Sequence, residues 1–399
     1  MRIGISAYVN PYELREYLNT GQEVPYINPS ATSVNNIALG LLRKGHKLII
    51  ITSTVEKMPL QQLHGSHLDI YIVSSAPVIY KTGIFLRWYM VKRLRKVIKA
   101  HVHEMDVLHA HWAYDFALAA AAFTSTLPVF CTVRDWAPIM CHYATELQKL
   151  SWTCVSVPVF KRVLKSHKIH FVANSRYIHH LIQTYYPNDL CDIIENPVKQ
   201  RFIIEQRASY PKDPVFVSVS QLLTDPRKNI TSLLRAFHLL RNERAQARLI
   251  LVGQCDVTSA IYQQWERDNL LEGVTLSGFL NHDKLMGLLD SVSALVHPSL
   301  EESFGNTLLE GMARRLPVIG GSASGAIPYV LGQGKYGLLC DVTSPNDIKE
   351  KLIQSLDIGT MQPILDAATT YLEKDLNEDV ISERHIRLYS RELCKFQTN

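Results

Sequence analysis

Three features that would point to an embedded, secreted or disulfide-linked protein are missing from this sequence of 399 residues. No apolar run approaches the roughly 20 residues that a helix needs to cross a bilayer. Residues 1–6 read as a β-strand and lack the basic start and the cleavage site of a signal peptide. The seven cysteines are scattered without any Cys-x-x-Cys pair, which favours reduced thiols over disulfides or structural zinc. We therefore expect a cytoplasmic protein.

A strong charge of one sign is also missing. The formal net charge of +5 is too small to indicate nucleic-acid binding. Residues 332–337 match the Gly-x-Gly-x-x-Gly pattern of dinucleotide-binding proteins, but only in sequence. The next residues, 338–341, read as a strand, where the fingerprint requires a helix. We interpret this segment as a turn and not as an NAD site.

The sequence does contain a regular alternation of short β-branched runs and helix-length stretches in both halves. Such alternation predicts βαβ units and parallel sheets, hence an α/β fold. The length suits roughly two domains of about 100–200 residues, and prolines cluster between residues 197 and 214. We predict an N-terminal domain over 1–197, a C-terminal domain over 198–379, and a final helix over 380–399 that packs back toward the first domain. Two doubly wound domains would place a ligand cleft at the carboxyl ends of their sheets.

The segment with the most chemical content is residues 298–313, in which a loop with two carboxylates follows a strand and a helix opens near Gly305. The free N–H groups of Phe304, Gly305, Asn306 and Thr307 would suit an anion, assisted by the helix dipole. Carboxylates such as Glu302 and Glu310 accept hydrogen bonds from sugar or ribose hydroxyls. The alternative is that both glutamates merely solvate a surface helix.

This segment resembles the Glu-x7-Glu signature of the family 4 glycosyltransferases, and the resemblance extends over nearly the whole chain. It implies the GT-B fold, in which two Rossmann-like domains face each other across a cleft. It also implies transfer of a sugar with retention of configuration from a UDP- or GDP-sugar, which is a co-substrate. No bound metal and no other cofactor are implied.

The resemblance assigns roles to individual residues. Residues 217–230 are similar to the donor-phosphate segment, with Lys228 at the position of the family's lysine and Gln221 at that of its arginine, for which Arg227 could compensate. Residues 276–280 are similar to the segment that holds the nucleotide base. The predicted donor residues are Lys228, Arg227, Gln221, Phe279, Leu280, Phe304, Gly305, Asn306, Thr307 and Glu310, with Glu310 on the ribose. Glu302 is predicted to contact the sugar.

In the N-terminal half, residues 107–112 and 128–135 are similar to two further family segments. His111, Arg134 and Asp135 are the catalytic candidates there, with Glu302 from the C-terminal half. Arg134 stands where the family often has histidine, and arginine cannot act as a base because it stays protonated. It could bind a phosphate or carboxylate, or simply contact Asp135. His109 and His111 alternate as zinc ligands can, but no third ligand has suitable spacing, so we expect no metal.

Seven Lys or Arg residues and no acid lie between Lys81 and Lys99, interleaved with apolar residues, and residues 161–168 form a second basic face. Such helices can lie on an anionic membrane, or their apolar side can pack on the sheet. The first alternative indicates a peripheral protein at the inner face of the plasma membrane with a glycan or lipid-linked acceptor. The resemblance suggests polysaccharide or lipopolysaccharide biosynthesis. Two other functions stay open: a degenerate partner subunit that binds without turnover, and a nucleotide-sugar epimerase.

Overall fold

The computed structural model describes residues 1–28, 31–74, 83–144 and 146–398, except for the side chains at 83–86, 146 and 147. The chain forms two compact units. The N-terminal unit comprises Met1–Pro197 together with Glu378–Asn399, and the C-terminal unit comprises Val198–Asn377.

The N-terminal unit is built on an eight-stranded sheet. Its strands are β1 (Arg2–Ser6), β2 (Lys47–Thr54), β3 (Gln61–His64), β4 (Leu68–Ser74), β5 (Val107–His111), β6 (Val129–Val133), β7 (His170–Ala173) and β8 (Cys191–Ile193). The order across the sheet is β3-β4-β2-β1-β5-β6-β7-β8. All neighbouring pairs are parallel except β3 with β4, which is antiparallel. The central strands are apolar runs because both faces of a parallel sheet are covered by helices.

The helices of this unit are α1 (Thr32–Arg43), α2 (Gly83–His101), α3 (Asp115–Ala120), α4 (Ala137–Tyr143), α5 (Glu146–Ser151), α6 (Val157–Leu164) and α7 (Arg176–Tyr185). The C-terminal helix (Glu378–Thr398) returns to this unit and packs on α1. The two helices approach so closely at Gly40 that a Cβ atom there would meet Ser382 and the backbone of Glu378. Glycine at this position therefore allows the C-terminal helix to dock.

The C-terminal unit has six parallel strands and seven helices among its described residues. The strands are β9 (Val215–Leu222), β10 (Arg248–Gln254), β11 (Val274–Gly278), β12 (Ala294–His297), β13 (Val318–Gly321) and β14 (Leu338–Cys340). The helices are α8 (Ile230–Arg241), α9 (Ala260–Arg267), α10 (His282–Leu289), α11 (Asn306–Ala313), α12 (Ile327–Val330), α13 (Pro345–Gln354) and α14 (Ile358–Tyr371). The strand order β11-β10-β9-β12-β13-β14 is the 3-2-1-4-5-6 order of a Rossmann fold.

These two sheets confirm the predicted α/β class with doubly wound parallel sheets. The fingerprint-like segment is a tight turn, Gly332–Gly334, followed by β14, as the sequence indicates. The alternating pattern does not predict strands β3 and β8 or helices α4, α5, α12 and α14. Lys81, at the start of the basic stretch, lies outside the described residues.

The basic stretch on α2 has its apolar side in the core of the N-terminal unit, where Met90, Val91 and Leu94 are buried. The alternative in which the helix packs on the sheet is therefore confirmed for this face. Trp88 and Tyr89 remain exposed on the other side, next to Lys92. No helix among the described residues is long and apolar enough to span a bilayer.

Candidate functional site

The strand order of the C-terminal unit places a topological switch point between β9 and β12. In open parallel sheets, ligands bind beyond the carboxyl ends of the strands at such a point. The connection that leaves β9 carries Arg227 and Lys228, and the connection that leaves β12 carries Glu302. Sequence-distant residues therefore meet at one edge of this sheet.

Backbone and side-chain hydrogen bonds tie these two connections together. Asn229 caps α8 in the left-handed conformation (φ 53°), which asparagine tolerates better than most residues. Its side-chain amide donates to the carbonyl of Pro298 at 3.1 Å and to that of Val342 at 2.8 Å. The N–H of Leu300 donates to the carbonyl of Arg227 at 2.8 Å. The position of Lys228 relative to the Glu302 loop is thus fixed by the backbone.

Lys228 and Glu302 form the central ion pair of this site. The Lys228 ammonium (Nζ) lies 2.5 Å from Oε1 of Glu302, and His297 Nε2 lies 3.1 Å from the same oxygen. The hydroxyl of Thr307 lies 3.0 Å from the other ring nitrogen of His297. Burial alone would raise the pKa of the Glu302 carboxyl, but Lys228 and His297 outweigh it and hold that pKa well below its usual range. Glu302 is therefore ionised at neutral pH.

Glu302 keeps one oxygen available. Both contacts go to Oε1, and Oε2 has no hydrogen-bond partner among the described residues. Oε2 is not among the fully buried unpaired atoms of the described side chains, so it keeps some exposed surface although the side chain is only 11% exposed. A carboxylate oxygen in this state accepts hydrogen bonds from hydroxyl groups.

Glu310 lies on α11, one helical turn beyond Asn306, and it has a different partner. Its Oε1 lies 3.1 Å from Nε2 of His282, the first residue of α10. The His282 ring makes an edge contact with Phe202, with 4.7 Å between ring centroids. Helix α11 begins after Gly305, whose φ of 94° suits glycine, and no side chain caps its first turn. Binding of an anion by the N–H groups at the start of α11 stays a prediction.

The remaining predicted donor residues occupy the same edge of the sheet with few contacts. Gln221 is exposed near the end of β9. Phe279, 46% exposed, and Leu280 directly follow β11. Arg227 pairs with Asp225 at 3.3 Å, and its Nε atom is buried without a hydrogen-bond partner. Phe304 is buried.

The catalytic candidates of the N-terminal unit lie at its own switch point, between β1 and β5. His111 ends β5 and is fully buried. Arg134 follows β6, and two of its nitrogens, Nε and Nη2, lie 3.2 and 2.9 Å from Nδ1 of His111. Its Nη1 donates to Ser33 and to Asn196, each at 2.8 Å. Arg134 is therefore anchored to three elements of its own unit.

Burial and neighbouring charges determine the protonation states of Arg134 and His111. Burial lowers the pKa of Arg134 to about 9, which leaves the guanidinium charged at neutral pH. Burial, with His109 and Arg134 adding to it, lowers the pKa of His111 well below its ordinary value. His111 is thus a neutral ring that accepts from Arg134 through Nδ1 and carries its proton on Nε2. Trp112, the next residue, has a φ of 64°, a costly conformation for a bulky side chain.

Asp135 accepts a hydrogen bond from the hydroxyl of Tyr114, which lies 2.8 Å from its Oδ1. His109 stacks on His111 with 4.3 Å between ring centroids and contacts Thr132 and Tyr389 through its two nitrogens. Within the described part of the chain, no group of three His, Cys, Asp or Glu side chains is placed to hold a metal ion.

Sequence reasoning did not single out four residues of these sites. His297 and His282 contact the two glutamates, and Ser33 and Asn196 bind Arg134. His297 could have been found, because it ends the strand that leads into the Glu302 loop. The other three lie 28, 101 and 62 residues from their partners, and no spacing rule connects them.

Comparison with known proteins gives matches on both halves of the chain. The family model Glycosyltransferase Family 4 matches residues 30–201, and the model Glycosyl transferases group 1 matches residues 199–368. O-antigen chain mannosyltransferase B of Escherichia coli is 30% identical over 175 residues. That match covers 41% of this chain and 43% of the relative, so the chain spans less than half of its length.

Two further similarities cover more of the chain. N-acetyl-alpha-D-glucosaminyl L-malate synthase of Bacillus anthracis is 23% identical over 345 residues, which is 83% of this chain and 85% of the relative. The crystal structure of HepE from Anabaena in complex with UDP and glucose superposes with a TM-score of 0.69 at 17% identity. It covers 98% of this chain and 100% of HepE, and it shows the shared fold. The chain is therefore a glycosyltransferase of the group 1 family with the GT-B fold.

Proposed function

We propose that this protein transfers a hexose, with retention of configuration, from a nucleotide diphosphate sugar to a glycan or lipid-linked acceptor. The observation that carries the proposal is the Lys228–Glu302 pair at the switch point of the C-terminal unit. A cation suited to a diphosphate and a carboxylate suited to sugar hydroxyls stand side by side there.

The roles follow from the chemistry of each group. Lys228 and the N–H groups at the start of α11 bind the diphosphate and stabilise the charge that grows on it as the sugar leaves. Glu302 accepts hydrogen bonds from the sugar through its open oxygen. Glu310 accepts them from the ribose, and Phe279 and Leu280 contact the base. His111, Arg134 and Asp135 are assigned to the acceptor side.

The relatives suggest the class of donor and acceptor. One is named as a mannosyltransferase of O-antigen chains, and HepE is described with UDP and glucose. We therefore extend the proposal to a UDP- or GDP-hexose and to cell-surface polysaccharide or lipopolysaccharide synthesis. Attachment to an anionic membrane through Trp88, Lys92 and the lysines that follow them on α2 is part of this proposal.

Ligand-induced stabilisation of the purified protein tests the donor site directly. UDP, GDP and ADP and their glucose conjugates are added in turn, and thermal unfolding is followed. A bound nucleotide at 100 times its dissociation constant adds about 2.7 kcal/mol of stability. Donor hydrolysis in the same samples, with NMR assignment of the released anomer, reports turnover and retention. Stabilisation without hydrolysis or transfer would favour the second candidate, a binding subunit, to which the exposed Gln221 at the arginine position also points.

Substitutions test the donor-binding roles of individual residues. Lys228→Ala and Glu310→Ala are each expected to lower turnover by about a hundredfold, because each removes a contact to the donor. Lys374→Ala and Glu350→Ala are matched controls at exposed positions of the same unit. Wild-type rates in the two site variants would refute these assignments.

A further inference from the structure

We propose that His297 and Thr307 are positioning residues that fix Glu302 so that its Oε2 atom meets a hydroxyl of the donor sugar while its Oε1 atom stays beside Lys228. This inference rests on the proposed function and adds two residues to the donor site. The three side chains are connected by consecutive hydrogen bonds of 3.0 and 3.1 Å.

The direction of the protons follows from the acceptor at one end. Glu302 is ionised and can only accept, so Nε2 of His297 carries a hydrogen and donates it to Oε1. With a hydrogen on Nε2 alone, Nδ1 is an acceptor, and the hydroxyl of Thr307 donates to it. With the opposite tautomer, a lone pair on Nε2 would face a carboxylate oxygen. Glu302 therefore selects this tautomer, and Thr307 supports it by donating to Nδ1.

The consequence is a carboxylate with a fixed orientation. Oε1 accepts hydrogen bonds from two donors, Nζ of Lys228 and Nε2 of His297, which belong to different segments of the chain. Rotation of the carboxyl group would break both contacts, so Oε2 is kept on the open side. When a diphosphate draws Lys228 toward itself, His297 still holds Oε1. The site can thus exchange one contact of Lys228 without losing the position of Glu302.

His297 is well placed for this role because its backbone is held independently of its side chain. It ends β12 and pairs in register with Gly320 of β13. Its ring is 95% buried, since only 5% of the side chain is exposed, and Thr307 lies in the first turn of α11. Strand and helix therefore set the distance between the two side chains.

The test compares binding of UDP-glucose and GDP-glucose with binding of UDP and GDP alone. His297→Leu removes the donor to Glu302, and Thr307→Val removes the hydroxyl that holds the His297 ring through Nδ1, whereas His297→Gln and Thr307→Ser keep a donor. We expect His297→Leu and Thr307→Val to weaken sugar-nucleotide binding and to lower kcat by about tenfold. Affinity for the free diphosphate should stay within about twofold, and the two conservative variants should recover most of the loss.

Several outcomes would overturn the inference. One is unchanged kcat in both His297→Leu and Thr307→Val, and another is an equal loss of affinity for UDP-glucose and UDP, which indicates a purely structural role. A fold defect confined to His297→Leu leaves Thr307→Val, at the half-buried helix start, to decide. Failure of the proposed function has a different signature, because the wild-type protein would then bind neither the diphosphates nor their sugars.

Discussion

Each unit has a cation and a histidine at the carboxyl ends of its parallel strands, and the two units use these groups differently. In the N-terminal unit the guanidinium of Arg134 is buried and bonded to His111, Ser33 and Asn196. In the C-terminal unit the ammonium of Lys228 contacts Glu302, which retains an open oxygen. The first pair is anchored within the protein, and the second presents a charge and an acceptor to a ligand.

This difference distinguishes a cation with a structural role, Arg134, from a cation suited to ligand binding, Lys228. A charge that satisfies several buried acceptors is costly to redirect, because each abandoned acceptor loses a hydrogen bond in a medium without water. A lysine with a single carboxylate partner can move to a phosphate at small cost, since the carboxylate keeps His297. We infer that Arg134 mainly positions His111, while its assignment to a ligand phosphate stays a prediction.

The largest expected effect concerns stability. Arg134→Ala should lower the free energy of unfolding by about 3–4 kcal/mol, because it deprives Ser33, Asn196 and His111 of a buried donor. Lys228→Ala should lower it by less, about 2 kcal/mol, since Glu302 keeps its contact with His297. Urea unfolding followed by tryptophan fluorescence measures both. Equal losses in the two variants would remove the distinction between the sites.

A smaller loss of stability is expected in the N-terminal unit when the pH is lowered. Burial lowers the pKa of His385 to about 3, and His109 and His111 are shifted in the same direction. Below the unfolded value of 6.5 the unfolded chain binds protons that the folded unit does not, so stability falls as pH falls through this window. His385 alone accounts for about 2 kcal/mol between pH 7 and pH 5.

The pKa of Glu302 is also lowered, but its contribution is lost only below the ordinary glutamate value of 4.5. At pH 5, amides of β5 should therefore lose more protection from hydrogen exchange than those of β12, after correction for intrinsic rates. His385→Phe is the matched variant and should reduce the loss in β5. A similar loss of protection in β12 would show that the histidines do not govern the difference.

The smallest expected effect concerns nucleotide affinity at the site of the C-terminal unit. Gln221→Arg restores the arginine of the family pattern at an exposed strand end, so it should improve UDP affinity about fivefold, or about 1 kcal/mol. Gln263→Arg adds the same charge at an exposed position of α9 and controls for general electrostatic attraction. Isothermal titration measures both, and an equal gain in the control would locate the effect in net charge alone.

Much of the fold could be predicted because its strands are apolar runs with clear helical partners. Strands β5, β6 and β12 are short runs rich in apolar residues, and α11 begins at Asn306, next to Gly305 where the sequence predicts a helix to open. Two other elements lack these sequence signals. Strand β8 has three half-buried residues and little apolar pattern, and α14 contains Pro363, which sequence rules associate with a helix end.

The candidate sites were predictable where residues share one connection and not where they meet across the fold. Glu302, Gly305 and Glu310 follow from the strand–loop–helix pattern of one segment. The contact of Lys228 with Glu302 joins residues 74 positions apart, and that of Arg134 with Ser33 joins residues 101 apart. The role of Arg134 could not be inferred from composition, because its partners are single polar residues without a motif.

The return of the C-terminal helix to the N-terminal unit has a consequence for how the chain is made. Tyr389, on that helix, lies 2.5 Å from His109 in the middle of the first sheet, and Gly40 accommodates the same helix. During synthesis from the N-terminus, these contacts form only after the whole C-terminal unit has been translated. The N-terminal unit is translated first but is completed last. Until the C-terminal helix has been translated, His109 lacks its contact with Tyr389.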